Sequence, residues 1–304
     1  MPPYGSVPDV FTVLLPLLLA AMPPSAPELL TWPDLAERAR PLADATIDYG
    51  PDPYQKIDLW RPAGPGPHPV VVMVHGGCWQ TKIADRTVMD WIADDLRQAG
   101  VAIWNIDYRG VDRPGGGYPG TFEDVAKAAD QLSAHAAKYN LDLTRVMAVG
   151  HSAGGHLALW LAGRAQLPAA SPLHRSRPLP IGQVISLGGL PDLEATAASP
   201  DNGCGTQIVA RLVGGDRAGR YDDTSVPRLL PLGVPQLLIN GREDRIIPYR
   251  MATDYVARAR SAGDRVELRT PAATGHVELV APESAAWAEA KRAILAHLGQ
   301  SPED

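Results

Sequence analysis

Apolar residues fall into two kinds of run along the chain. Unbroken, largely β-branched stretches occur at "VVVMVH" (Val70 to His75), "VAIWNIDY", "RVMAVG", "IGQVISLGGL", "PQLLIN" and "VELRTPA". A strand with one wet face alternates apolar and polar residues, whereas one covered on both faces does not, so these runs predict interior strands of a parallel sheet. Between them lie segments with helical spacing: "TVMDWIADDLRQAG", "TFEDVAKAADQLSAHAAKYN", "AGGHLALWLAGRA", "QIVARLVGG", "YRMATDYVARARSAG" and "ESAAWAEAKRAILAHLG". Gly100 and Gly263 close two of these as C-caps. Thr121, followed three residues later by Asp124, reads as an N-cap signature. Upstream, "IDYGPDPYQKIDLW" reads as two short strands around a turn, suited to an antiparallel edge.

The alternation predicts an α/β fold, with a mostly parallel twisted sheet of about eight strands, helices on both faces and an antiparallel N-terminal edge. One domain is expected over residues 29–304. Residues 1–28 are set apart as a signal-like or disordered segment. "VFTVLLPLLLAAM" (Val10 to Met22) has the length of a signal-peptide core and is too short and Pro-broken for a stable membrane span. Ala26 suits a cleavage site, yet no Lys or Arg precedes Arg38. Export, and a cytoplasmic protein starting at Met22, both stay open.

Apolar residues make up 45% and charged ones 20%, a globular balance that supports a large core. The net charge of −6, with no Lys/Arg block, excludes a nucleic-acid partner. Cys78 and Cys204 are too far apart for zinc-binding pairs, leaving a disulfide or two free thiols. No metal and no cofactor is expected.

A doubly wound sheet binds ligands at the carboxyl ends of its strands. Four such ends carry polar chemistry. After "RVMAVG" comes "GHSAG", where a strand turning at once into a helix leaves room only for small residues two positions either side. Gly150 and Gly154 meet that need and push the Ser152 hydroxyl above the sheet as a candidate nucleophile. The Ala153 N–H, at the helix start, would face an oxyanion. After "VVVMVH" comes "GGCW", whose backbone can approach a ligand closely. The N–H groups of Gly77 and Cys78 complete the candidate oxyanion hole. His75 is expected to orient this loop. Trp79 belongs either to a substrate pocket or to the core, and His151 is a second pocket candidate. After "PQLLIN", Asp244 is the candidate carboxylate, ahead of Glu243, Asp192 and Asp216. After "VELRTPA", His276 is the one histidine of eight at a late strand end. His68 and His174 lie in Pro-rich loops, His135 and His297 on helices, and His151 and His156 too close to the serine. A serine hydroxyl needs an imidazole to take its proton and a carboxylate to fix that ring, which is the set Ser152, His276, Asp244.

With "HGGCW", "GHSAGGHLALWLA" and the order Ser–Asp–His in place, the chain resembles the α/β-hydrolase superfamily from about Ile47 to Leu298. Within it, the chain is similar to esterases with an H-G-G-x-W loop: kynurenine formamidases and the feruloyl/acetyl-xylan esterase-like (BD-FAE-like) bacterial hydrolases. Lipase-like relatives carry a third glycine where Cys78 stands. The resemblance implies attack of Ser152 on an ester carbonyl, an acyl-enzyme, and a small-molecule ester as substrate. An amide, as for an arylformamidase, is the alternative. With no long inserted lid, the irregular segments 167–180 and 191–231 are the expected cover of the site, and a short acyl group the expected substrate.

Overall fold

The computed structural model describes residue 5 and residues 28–300. The signal-like run lies outside them. A short helix α1 (Trp32–Ala36) precedes β1 (Ala45–Asp48), β2 (Lys56–Trp60) and β3 (His68–Val74). Next come α2 (Asp90–Gln98), β4 (Ala102–Ile106), α3 (Gly120–Tyr139), β5 (Leu141–His151) and α4 (Ala153–Ala162). The chain continues through β6 (Val184–Leu187), α5 (Leu193–Ala197), α6 (Thr206–Leu212), β7 (Gln236–Ile239), α7 (Arg250–Ser261), β8 (Val266–Arg269) and α8 (Ala285–Leu298).

The eight strands form one sheet in the order β1-β2-β4-β3-β5-β6-β7-β8. The first two pairings are antiparallel and the rest parallel, as the apolar runs predict. Strand β3 shows why its run is unbroken. Val70, Val72 and Val74 enter a core shared with α3, α4 and α7, while Val71 and Met73 enter a second core under α2 and α8. All five are fully buried. Fully burying one valine or leucine is worth about 1.5–3 kcal/mol, so these two layers hold the sheet that positions every strand end.

Two local expectations change. Helix α3 starts one residue before Thr121, with Pro119 at the N-cap. The Thr121 hydroxyl donates to the Arg109 carbonyl at 2.6 Å and accepts from the Gly117 N–H. Asp124 receives Arg109 Nε at 2.7 Å and Gln55 Nε2 at 2.8 Å. Tertiary partners therefore use both groups that a cap would need. The second change is α1, which no periodic pattern announces. A capping box between Thr31 and Asp34 opens it, and Leu35 anchors it in the second core. No helix among the described residues is long and apolar enough to cross a membrane.

Candidate functional site

Ser152 stands between β5 and α4 with φ 55° and ψ −123°, a backbone state that costs a non-glycine residue roughly 1–3 kcal/mol. The turn fits because the residues two positions either side, Gly150 and Gly154, are glycines. A Cβ on Gly150 would lie 2.0 Å from the Gly154 carbonyl oxygen, and one on Gly154 would lie 2.1 Å from that of Val74. The Ser152 N–H is spent on the Leu187 carbonyl of β6 at 2.8 Å, which locks the apex to the neighbouring strand.

Asp244 follows β7, and its carboxylate is tied down by its own turn. One oxygen accepts the N–H groups of Ile246 and Ile247 at 2.8 and 2.9 Å. The other lies 2.7 Å from Nδ1 of His276, which follows β8. The His276 side chain is 7% exposed and that of Asp244 1%. A carbonyl or carboxylate oxygen only accepts, so Nδ1 carries the hydrogen and Nε2 is left as the ring's free nitrogen. Ser152 and His276 line one cavity of about 490 Å³. Glu243 points elsewhere, towards the Thr274 N–H. Asp192 caps α5 and meets Arg258, and Asp216 pairs with Arg220 on the surface.

The loop after β3 also borders the cavity, through Gly76, Gly77 and Cys78. Gly77, Cys78 and Trp79 have φ of 99°, 50° and 54°, three successive residues in the left-handed region. Only the first suits that region without cost. The strain is offset by fixed surroundings. Cys78 is joined to Cys204 as a disulfide, with Cα atoms 5.2 Å apart across 126 residues. Trp79 is fully buried edge-on to His156, and its carbonyl accepts from Val111. Trp79 is thus a core residue and not a wall of the cavity. Among the described residues, the backbone N–H groups of Gly77, Cys78 and Ala153 donate to no protein acceptor. The three donors singled out in the sequence are thus uncommitted at the strand ends.

His75 braces this loop from beneath. Nδ1 meets the Gly76 carbonyl at 2.7 Å, Nε2 meets Asp107 at 2.9 Å, and the ring stacks on Tyr108. His151 does border the cavity, and its Nε2–H donates to the His276 carbonyl at 3.1 Å. Burial, and then the proximity of His276, hold His151 well below the usual imidazole range, so it is a neutral support for the His276 backbone. Burial also pushes His156 down to about 4.

Sequence reasoning missed the part of the wall that α1 supplies. Trp32, Leu35 and Ala36 line the cavity. Of the two irregular segments expected as cover, the second contributes Gly203, and the first none of the lining residues. The signal that was available is the exposed-looking "LLTWPDLA", in which Thr31 precedes Pro33 and Asp34 as a helix start does.

Residues 57–258 match the family model BD-FAE. Esterase LipC of Mycobacterium tuberculosis is 30% identical over 229 residues, which is 70% of this chain and 54% of that protein. The chain thus spans about half the length of that relative. Esterase B of Lactobacillus rhamnosis shares the fold with a TM-score of 0.70 at 20% identity, over 86% of this chain and 87% of that one. Thermogutta terrifontis esterase 2, phosphonylated by sarin, does so with a TM-score of 0.71 at 19% identity, over 90% and 100%. The architecture is that of the α/β-hydrolases.

Proposed function

Because the chain belongs to the BD-FAE family, we propose that it hydrolyses carboxylic esters through an acyl-enzyme on Ser152, with His276 as general base and Asp244 orienting it. The observation that carries the reading is the 2.7 Å contact between His276 Nδ1 and Asp244, with His276 and Ser152 on one cavity. In the first half-reaction Ser152 Oγ attacks the carbonyl carbon while His276 Nε2 takes its proton. The tetrahedral oxyanion is met by N–H groups of Gly77, Cys78 and Ala153, each donor worth about 3 kcal/mol of barrier. His276 returns the proton to the departing alkoxide, and the alcohol leaves. Water then repeats the sequence on the acyl-enzyme, giving the acid and free Ser152. Asp244 keeps a hydrogen on Nδ1 throughout, so that Nε2 offers its lone pair to the serine before attack and carries the transferred proton afterwards.

The lack of an inserted lid predicts a short acyl group, and the cavity of about 490 Å³ is roomier than an acetyl group requires. Fluorophosphonate labelling tests the reading: the reagent should modify Ser152, and Ser152→Ala should lose labelling and ~10⁴-fold or more in kcat while keeping its Tm. Labelling elsewhere would remove Ser152 from its role. Turnover of an N-formyl aromatic amine with none of 4-nitrophenyl acetate would replace the ester by an amide substrate.

A further inference from the structure

Among the described residues, the large exposed apolar side chains are concentrated at the cavity. Among the described residues five large ones are exposed, Trp32, Leu42, Ile83, Leu143 and Ile246, and three of them, Trp32, Ile83 and Ile246, border it. Isolated apolar residues on a surface need no explanation, but several around one concavity mark a binding face. Leu35, Val88 and Trp91 continue the same wall inward. Among the described residues that line it, none is Asp, Glu, Lys or Arg. The polar side chains that line it are Ser152, His151 and His276. An ionic or heavily hydroxylated group placed against this apolar wall, away from the polar groups around Ser152, would lose water and find no partner, at a cost of several kcal/mol.

Part of this wall comes from outside the family-matched span. Helix α1 precedes residue 57, where the match begins. It is held against the proposed base by one buried carboxylate. Glu278 accepts the Leu30 N–H with one oxygen and the Gly275 N–H with the other, the latter at 2.9 Å. Leu35 is sunk in the core, and Arg38 forks onto Glu283. The Trp32 ring consequently stands edge-on to His151 and His276, with centroids 5.9 and 6.5 Å away. A tryptophan fixed so near the proposed reacting atoms, yet 40% exposed and on the cavity wall, leaves ring surface open for a substrate to meet.

We propose that α1 is a specificity wall, and that Trp32 selects esters with one bulky, uncharged, apolar group, aromatic or branched, seated against its exposed ring. The inference rests on the ester-hydrolase reading above. The test compares the wild type with Trp32→Ala and Trp32→Phe on three alkyl esters: ethyl acetate, ethyl 2-naphthoate (bulk on the acyl side) and 2-naphthylmethyl acetate (bulk on the alcohol side). Trp32→Ala should lower kcat/KM on one of the naphthyl esters on the order of tenfold, chiefly through KM, and on ethyl acetate by about threefold or less. Trp32→Phe should recover most of that loss, and the affected ester identifies which side of the substrate meets α1. An equal fall in kcat on all three esters would make Trp32 a mere prop for His276 and overturn the proposal. So would no change on any of them. If the wild type turned over none of the three and Ser152 resisted fluorophosphonate, the failure would lie with the hydrolase reading instead.

Discussion

The molecule contains two histidine–aspartate pairs of nearly the same length. His276 meets Asp244 at 2.7 Å and His75 meets Asp107 at 2.9 Å. Both carboxylates are buried and both follow strands of the same sheet. They differ in the second ring nitrogen. In His75 it faces the Gly76 carbonyl, and the ring is closed in by Tyr108. In His276 it is free, on a ring that lines the cavity with Ser152. The carboxylates are held differently too. Asp244 is fixed by the N–H groups of its own turn, whereas Asp107 accepts Arg86 Nη1 at 2.9 Å and the Tyr108 N–H at 3.0 Å. Arg86 reaches on to Asp58 at 2.6 Å, and Thr46 of β1 completes the line. One pair is thus a proposed reagent, and the other is a brace from the antiparallel edge to the loop after β3. A carboxylate partner does not make a histidine a base; access to its other nitrogen does.

The largest expected effect separates the pairs by activity. His276→Ala should reduce kcat ~10⁴-fold or more with little change in the urea midpoint. If ester turnover survived that substitution, the two pairs would be equivalent and the contrast would collapse. The next effect is on stability. Asp107→Ala would leave Arg86 and His75 facing a buried gap, and removing one partner of a buried pair costs about 3–5 kcal/mol. Urea unfolding should register that loss, and a cost below about 1 kcal/mol would show that the brace bears no strain.

The smallest effect concerns a carboxyl beside this network that lacks such partners. Asp90, at the start of α2, is 4% exposed, and its nearest cation, Arg40 Nε, is 3.7 Å away. Burial, and then the charge of Asp58, raise it to about 8. The unfolded chain gives up this proton near pH 4 and the folded one near pH 8. The folded state therefore binds more protons between those values, and stability from this group falls as pH rises, by up to about 1.4 kcal/mol per unit. Asp90→Asn removes the titration, so its Tm advantage over the wild type should grow from pH 5 to pH 8. A constant or shrinking difference would place the Asp90 charge in better company than the geometry shows.

The elements with a strong periodic signal were readable in advance. The run around Val70 to Val74 is apolar at every position because each of its faces meets a helix layer, and the glycines around Ser152 announce a turn that only small residues allow. The candidate site residues could be singled out because each stands at the end of such a strand. Thr121 and Asp124 misled because a local cap competes with partners that arrive from the distant Arg109 and Gln55, and sequence order says nothing about those. Helix α1 was missed for a related reason. Five residues are too few for an apolar period, and its stability comes from Leu35 in the core and from Glu278, almost 250 residues later.

The walls of the cavity run from Trp32 to His276, and the sheet that carries His276 is completed by β8. His276 follows β8, so of the three proposed catalytic residues the base is the last to be synthesised, after Ser152 and Asp244. On the proposed reading, ester cleavage would require β8 to have joined the sheet edge, which ties the onset of activity to the completion of the fold.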